Sequence, residues 1–285
     1  MKVGIGSYAF RWSIGIGDYR PEAPMGPVEL LHTAAGIGAE VLQFADNLPL
    51  DTVSDAVISD LRQASLETGV EVQLGTNSLD AAHLERQRAL ADVLKAPVIR
   101  IAPGAADMAD DATLVQRLRD EGDAFAKVGC LITLENHFRL APSDLADLVT
   151  RVAHDNVRVC LDVANSVANR EWPETTIRTL VPHAGNLHIK DYDIALDPYG
   201  VGMHIVGVPL GEGLMDIDLV LAELAACGRE VDAIVEHWLP KDRFSTHEEA
   251  RCLELEWSSR SIAAFSATVA AARDEGSFGK TEVPA

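Results

Sequence analysis

Basic side chains are scarce in this 285-residue chain: 24 Lys and Arg stand against 44 Asp and Glu, a formal net charge of −20. A surface so negative argues against nonspecific association with DNA, RNA or an anionic membrane, because those partners carry the same sign. A small neutral or weakly charged molecule is easier to accommodate. Aromatic residues make up only 5% of the chain while alanine is abundant, which suits helices packed closely around a sheet. Cysteine is sparse as well. Cys130, Cys160, Cys227 and Cys252 show no C-x-x-C spacing and lie in apolar or helical contexts, so they read as structural thiols, not a disulfide framework or a zinc ribbon. No apolar run is long enough to span a bilayer, and no signal-peptide block precedes the strand pattern that begins at Val3, so a cytoplasmic location is expected. No Ser-, Pro- or Gly-rich linker divides the chain. One domain over residues 1–273 follows, with 274–285 a tail that lacks apolar periodicity and is expected to be disordered.

What is present is a repeated design. Leu131-Ile132-Thr133-Leu134 runs into Glu135-Asn136-His137, an apolar strand pattern with a carboxylate, an amide and an imidazole at its C-terminal tip. Val157-Arg158-Val159-Cys160-Leu161-Asp162, Asn186-Leu187-His188-Ile189-Lys190-Asp191 and Ala233-Ile234-Val235-Glu236-His237 repeat it. The steps between Glu135, Asp162 and His188 each match one strand, helix and loop unit of a parallel α/β fold, and Glu236 follows after a longer step. At the same end of successive parallel strands, three carboxylates and one imidazole converge. Such a cluster is costly unless something positive sits inside it, and a divalent cation is the simplest choice. Taken singly, each residue is an ordinary solvent-facing strand end; their common register argues for the ion.

Eight strand patterns occur, at 3–8, 40–44, 70–74, 98–102, 131–137, 157–162, 186–191 and 233–237, with helical patterns between them. Their weak period-two alternation fits strands buried on both faces. The last helix opens on the capping box Thr246-His247-Glu248-Glu249 and runs to about residue 273. The fold class is α/β, a single (β/α)8 TIM barrel with a long C-terminal helix. The fourth helix is expected from Asp110, and the fifth from Asp144 with Ser143 as its cap. Residues 192–215 form a connection longer than usual and rich in glycine, the pattern of a lid. Its Gly211-Glu212-Gly213 lacks the Lys-Ser/Thr sequel of a phosphate loop. The loop after strand one carries Phe10, Arg11 and Trp12, a candidate wall for a substrate. Asn47, after strand two, is a candidate for a sugar hydroxyl, against the default that Asx residues cap turns. Arg100 lies inside an apolar strand and needs acceptors, either a structural carboxylate or an anionic group of the substrate.

Oxygen-rich ligation with one imidazole suits a single divalent ion, Mn²⁺ foremost, with Mg²⁺, Co²⁺ and Zn²⁺ also compatible. Glu135, Asp162, His188 and Glu236 would hold it and leave positions for two adjacent oxygens of a hydroxy-ketone. Chelation polarises the carbonyl and stabilises the enediolate left by loss of a neighbouring proton. Glu135 and Glu236 reach opposite faces of such a substrate, so one removes a proton and the other returns it, although carboxylates at a cation are weak bases. His137, Asn165, Lys190 and His237 are candidates for substrate contact. Lys190 shares the inward parity of His188 and either neutralises a substrate anion or pairs with Asp162 or Asp191. His204 reads as a surface residue.

The motifs Leu134-Glu135-Asn136-His137, Leu161-Asp162-Val163-Ala164-Asn165, Leu187-His188-Ile189-Lys190-Asp191, Gly211-Glu212-Gly213 and Val235-Glu236-His237 together resemble the xylose isomerase-like TIM-barrel superfamily over nearly the whole chain. That group spans the sugar phosphate isomerase/epimerase family and the fold of AP endonuclease family 2. The resemblance implies that Glu135, Asp162, His188 and Glu236 hold one metal and that the two glutamates transfer protons. Many ketose 3-epimerases of the group carry a histidine three positions after the aspartate, where this chain has Asn165. Glu135-Asn136-His137 with Asn165 looks more like the branch that includes decarboxylases and lyases of oxidised sugars. The expected activity is that of an isomerase or epimerase of a small keto-sugar, working through an enediolate. The alternative is a lyase that decarboxylates or dehydrates a 3-oxo sugar acid or keto-polyol at the same site. Two further readings are multi-zinc endonuclease-type DNA repair, which lacks extra histidines at Gly75-Thr76-Asn77 and Ala102-Pro103-Gly104, and a metal-free barrel that binds sugars or a partner. The expected partner is a small carbohydrate-type substrate, with neither nucleic acid nor membrane, and a homo-oligomer is compatible with the sequence.

Overall fold

The computed structural model describes residues 1–104, 107–108, 111–138 and 140–274. Ten strands follow one another: β1 (Val3–Gly6), β2 (Val41–Gln43), β3 (Glu71–Thr76), β4 (Val98–Ile101), β5 (Leu131–Glu135), β6 (Val157–Asp162), β7 (Ala184–Ile189), β8 (Asp191–Leu196), β9 (Met203–Val208) and β10 (Ala233–Val235). All but β8 and β9 pair in parallel into a closed barrel, in which β7 lies beside β10 and β10 closes onto β1. The expected α/β barrel therefore forms. Its strands are short apolar runs because both faces are covered, one by the barrel interior and one by helices. Register sets the site. Asp162 lies directly across from His188, and His188 from Ile234, so the C-terminal tips of β6, β7 and β10 stand level.

The helices are α1 (Arg11–Ile14), α2 (Pro27–Gly36), α3 (Asp55–Thr68), α4 (Ala81–Leu94), α5 (Asp111–Ala126), α6 (Pro142–Val152), α7 (Pro173–Leu180), α8 (Ile217–Ala226) and the long α9 (His247–Asp274). Local chemistry starts them. Ser54, Asp80 and Asp216 accept hydrogen bonds from first-turn amides of α3, α4 and α8, and prolines open α2, α6 and α7. The capping box of α9 is in place: Thr246 Oγ1 accepts from Glu249 N at 3.1 Å, and Glu249 Oε2 accepts from Thr246 N at 3.2 Å.

Several boundaries differ from expectation for physical reasons. Helix α6 begins at Pro142, not at Asp144, because proline suits the first helical position and Ala141 takes the cap. Strand β1 ends at Gly6 and the chain turns through Ser7–Phe10 into α1. The seventh barrel strand begins at Ala184 and ends at Ile189, so Lys190 links it to β8, and the eighth ends at Val235, just before Glu236. Asp274 closes α9, whereas the rest of the tail expected to be disordered, 275–285, and the expected helix start at Asp110 fall outside the described residues. Of the four thiols, all free, Cys130 and Cys160 are buried while Cys227 and Cys252 are exposed, so only the first pair is part of the packed interior. His204 is exposed, as expected. Among the described residues no helix is long and apolar enough to cross a membrane.

The long connection is an antiparallel hairpin, β8 against β9, paired from Asp191 with Val208 to Leu196 with Met203. Its return is anchored by one carboxylate. Asp191 Oδ2 accepts from the amides of Gly211 and Gly213, both at 2.9 Å, and Oδ1 accepts from Tyr192 at 2.8 Å and Met215 at 2.9 Å. The Gly211-Glu212-Gly213 segment thus wraps an internal anion. A Cβ at Gly213 would collide with the Tyr192 carbonyl and with Asp191.

The turn after β1 is held in a similar way from α9. Glu254 is fully buried; its Oε1 accepts from Trp12 N at 2.7 Å, and its Oε2 accepts from Ser13 N at 3.0 Å and Ser13 Oγ at 2.6 Å. These amides belong to the first turn of α1, where a helix needs outside acceptors. Burial pushes the Glu254 carboxyl up to about 7, against the hydrogen bonds that pull it down. The folded chain thus binds a proton that the unfolded chain releases, and stability falls as pH rises through that interval, by roughly 3 kcal/mol. Thermal unfolding at pH 5 and pH 7.5 should show a shallower decline in Glu254→Gln than in the parent; equal slopes would contradict the assignment.

Candidate metal and substrate site

The tips of β5, β6 and β7 bring Glu135, Asp162 and His188 together, all buried, with one ligand-capable atom from each within 4.8 Å of the others. Glu236, the residue after β10, joins them. His188 Nδ1 lies 3.5 Å from Glu236 Oε1, 3.8 Å from Glu135 Oε1 and 3.9 Å from Asp162 Oδ2, and it has no hydrogen-bond partner.

A chain of amides fixes Nε2 of His188 as a hydrogen-bond donor. Gln73 Nε2 lies 3.3 Å from both Glu71 Oε1 and Asp232 Oδ2, carboxylate oxygens that accept, so this end of the amide donates. Its Oε1 therefore accepts, from Gln43 Nε2 at 3.2 Å and Asn186 Nδ2 at 3.3 Å. Gln43 Nε2 also donates to Asn186 Oδ1 at 3.2 Å, which turns Gln43 Oε1 toward His188 Nε2 at 2.7 Å. That ring nitrogen donates, and Nδ1 is left facing three carboxylates. One nitrogen and several carboxylate oxygens, mutually repulsive without a cation between them, are a donor set that fits a divalent ion. The outer amides would orient the imidazole for it.

The carboxylates are anchored too. Asp162 Oδ1 accepts from the amides of Ala164 at 2.9 Å and Asn165 at 2.8 Å, and the Asn136 side chain clasps the Asp162 backbone at 2.7 and 2.8 Å. Asn165 Nδ2 donates to Glu135 Oε1 at 2.8 Å. Two buried cations offset the negative charge. Arg100 Nε pairs with Glu135 Oε2, and Lys190 Nζ lies 2.6 Å from Asp162 Oδ2 and 2.9 Å from Glu236 Oε2. Burial alone would raise both glutamates, but Arg100 and His188 outweigh it at Glu135, and Lys190 and His188 at Glu236, so both carboxyls lie below their ordinary range. At Asp162 burial prevails over Lys190 and the carboxyl is raised. Burial would lower Lys190, yet Asp162 and Glu236 raise it, so the ammonium stays charged. Burial drives the His237 imidazole down to about 3, and Arg11 adds to the effect.

A cavity of about 630 Å³ opens above the cluster. Of the expected substrate contacts, His137, Asn165, Lys190, His237 and Arg100 line it. Arg100 and Lys190 realise the structural pairing foreseen for each and face the cavity as well. Two expectations are corrected. Trp12 is not in the cavity wall; its Nε1 donates to Leu239 O at 2.8 Å and its ring packs edge-on against Tyr19 and Phe244, at 5.3 and 5.2 Å. Asn47 is not in the wall either: it clasps Ser7, accepting from Oγ at 2.6 Å and donating to the carbonyl at 3.1 Å. Sequence reasoning missed Gln43, Gln73 and Asn186, whose signal was an uncharged amide inside an otherwise apolar strand.

Fold and site together define a parallel (β/α)8 barrel with a buried carboxylate and imidazole cluster at the C-terminal ends of its strands. The chain belongs to the xylose isomerase-like TIM barrel family, which it matches over residues 31–257. It is 31% identical over 265 residues to the 3-oxo-isoapionate decarboxylase of Pectobacterium atrosepticum, a match that covers 92% of this chain and 94% of that protein. Among solved structures it is similar to the D-psicose 3-epimerase of Clostridium cellulolyticum H10 with D-tagatose, at 18% identity and a TM-score of 0.70, over 94% of this chain and 99% of that one. A xylose isomerase-like TIM barrel protein from Mycobacterium smegmatis in complex with magnesium gives 18% identity and a TM-score of 0.65, over 92% and 97% of the two chains. At such identities the likeness is one of fold.

The amide chain has a direct consequence. Gln43→Leu removes the acceptor that holds His188, and Mn²⁺ affinity measured by calorimetry should fall about 10–100-fold. Unchanged affinity would mean that the imidazole needs no such orientation.

Proposed function

We propose that this chain is a divalent-metal-dependent lyase that decarboxylates a short polyhydroxylated 3-oxo acid. The observation that carries the reading is that both candidate bases are already engaged by buried partners, Glu135 by Arg100 and Asn165, and Glu236 by Lys190. Carboxyls held below their ordinary range are poorly suited to strip a proton from carbon, and an epimerase needs such a base on each face of its substrate.

Decarboxylation has no such requirement. The C1–C2 bond breaks, its electron pair moves into C2–C3 while charge passes to the ketone oxygen, CO₂ leaves, and C2 then takes a proton. Glu135, Asp162 and His188, with Glu236 beside them, would hold a divalent cation, Mn²⁺ being the ion expected, and its charge would stabilise a developing oxyanion. Gln43 keeps His188 presented to that position, and Asn136 and Asn165 keep Asp162 and Glu135 there. Lys190, a charged ammonium at the cavity wall, is placed to favour negative charge on the substrate. The identity shared with a 3-oxo-isoapionate decarboxylase supports the same reading. Epimerisation of a keto-sugar is the second reading, because Glu135 and Glu236 both face the cavity.

The test is to incubate Mn²⁺-loaded protein with short 3-oxo sugar acids in D₂O and to follow the carbon skeleton by NMR. Release of CO₂ above the spontaneous rate, deuterium on the carbon, next to the ketone, that carried the lost carboxyl, and loss of both on chelation are expected. Deuterium in an isomerised ketose of unchanged length, with no CO₂, would overturn the lyase in favour of the epimerase.

A further inference from the structure

Among the described residues, three basic side chains with a permanent or near-permanent charge line the cavity: Arg11, Arg100 and Lys190. Two of them are committed. Arg100 pairs with Glu135 and has Asp46 at 3.7 Å, and Lys190 bridges Asp162 and Glu236. Arg11 differs. Its Nη2 donates to the Leu239 carbonyl at 2.7 Å, its guanidinium carbon lies 5.0 Å from the centre of the Trp12 ring, and its buried Nε has no hydrogen-bond partner. Among the described residues no carboxylate forms an ion pair with it. Glu254 supports its charge from a distance, but the oxygens of that carboxylate are occupied by Trp12 and Ser13.

Burial lowers the Arg11 pKa, but a guanidinium stays protonated in proteins, so the side chain remains a cation. A partly desolvated guanidinium with an unused donor is costly where it stands, and a planar oxyanion is the ligand its fork fits best. In a chain of net charge −20, a cation left unpaired at a cavity wall needs an explanation.

We propose that Arg11 anchors the carboxylate of the substrate, and that this contact makes the cavity select sugar acids over neutral sugars. The proposal deepens the decarboxylase reading and rests on it for the placement of the ketone at Glu135, Asp162 and His188. Because the charge that Arg11 holds disappears as CO₂ forms, its contribution is to binding and not to bond breaking, and its loss falls on KM.

The variants are Arg11→Leu and Arg11→Lys. The Leu239 carbonyl also accepts from Trp12 Nε1, so it keeps a donor in both, and Arg11→Lys retains the charge. Calorimetry uses hydroxylevulinate, a stable hydroxy-keto acid that cannot lose CO₂ by this route, against neutral hydroxyacetone, with metal-free and Mn²⁺-loaded protein. Hydroxylevulinate should bind the parent and lose about 10–100-fold in Arg11→Leu, with part of the loss recovered in Arg11→Lys and hydroxyacetone indifferent to both changes. No binding to the parent, or equal binding to parent and Arg11→Leu, overturns the proposal. The two readings fail separately. If hydroxylevulinate binding depends on Arg11 while no oxo acid is decarboxylated, the carboxylate site stands and the lyase falls. If CO₂ is released with the same KM in Arg11→Leu, the lyase stands and the anchor falls.

Discussion

Three buried carboxylates around one imidazole are the constraint on which the rest of this structure depends. Carboxylates brought that close out of water repel one another and raise one another's pKa unless cations intervene. The barrel supplies two cations of its own, Arg100 from β4 and Lys190 from the link that follows β7. It also places a layer of interior amides, Gln43, Gln73 and Asn186, behind the bond to His188. A barrel built only for stability would fill that layer with branched apolar side chains. The amides are therefore better understood as a cost accepted for the site.

The walls of the cavity follow the same economy, in which single internal anions organise whole segments. Asp191 gathers four amides and so fixes where the β8–β9 hairpin leaves and rejoins the barrel. Glu254 gathers the first turn of α1 and so fixes where Arg11 stands. Each carboxylate lies one step back from the cavity and acts through the backbone it holds. The hairpin contributes Tyr192 and Ile205 to the cavity wall, while Tyr199, Val201 and Met203 beyond them are exposed.

Much of this was legible in the sequence, because parallel strands make a simple promise. Residues at the same end of successive strands become neighbours, and Glu135, Asp162, His188 and Glu236 keep that promise. Arg100 was legible as a charge in need of acceptors, though not that Glu135 would be one of them. The amide chain was not legible, since Gln43 and Asn186 are 143 residues apart and meet only when the barrel closes. Trp12 and Asn47 stand outside the cavity lining for a different reason. A tryptophan that packs under a loop and one that faces a substrate have the same sequence signature, as do an Asn that clasps a turn and one that awaits a hydroxyl. Helix ends were off by a residue or two where proline, and not the expected side-chain cap, began the helix.

The account stands or falls on the ion. The most direct measurement is elemental analysis of protein reloaded with Mn²⁺ and desalted, beside a His188→Ala variant. One Mn²⁺ per chain in the parent, with retention lost in the variant, is the predicted result. A parent that keeps no metal under any loading condition, or a variant that keeps as much as the parent, would contradict the claim that this cluster is built around a divalent cation.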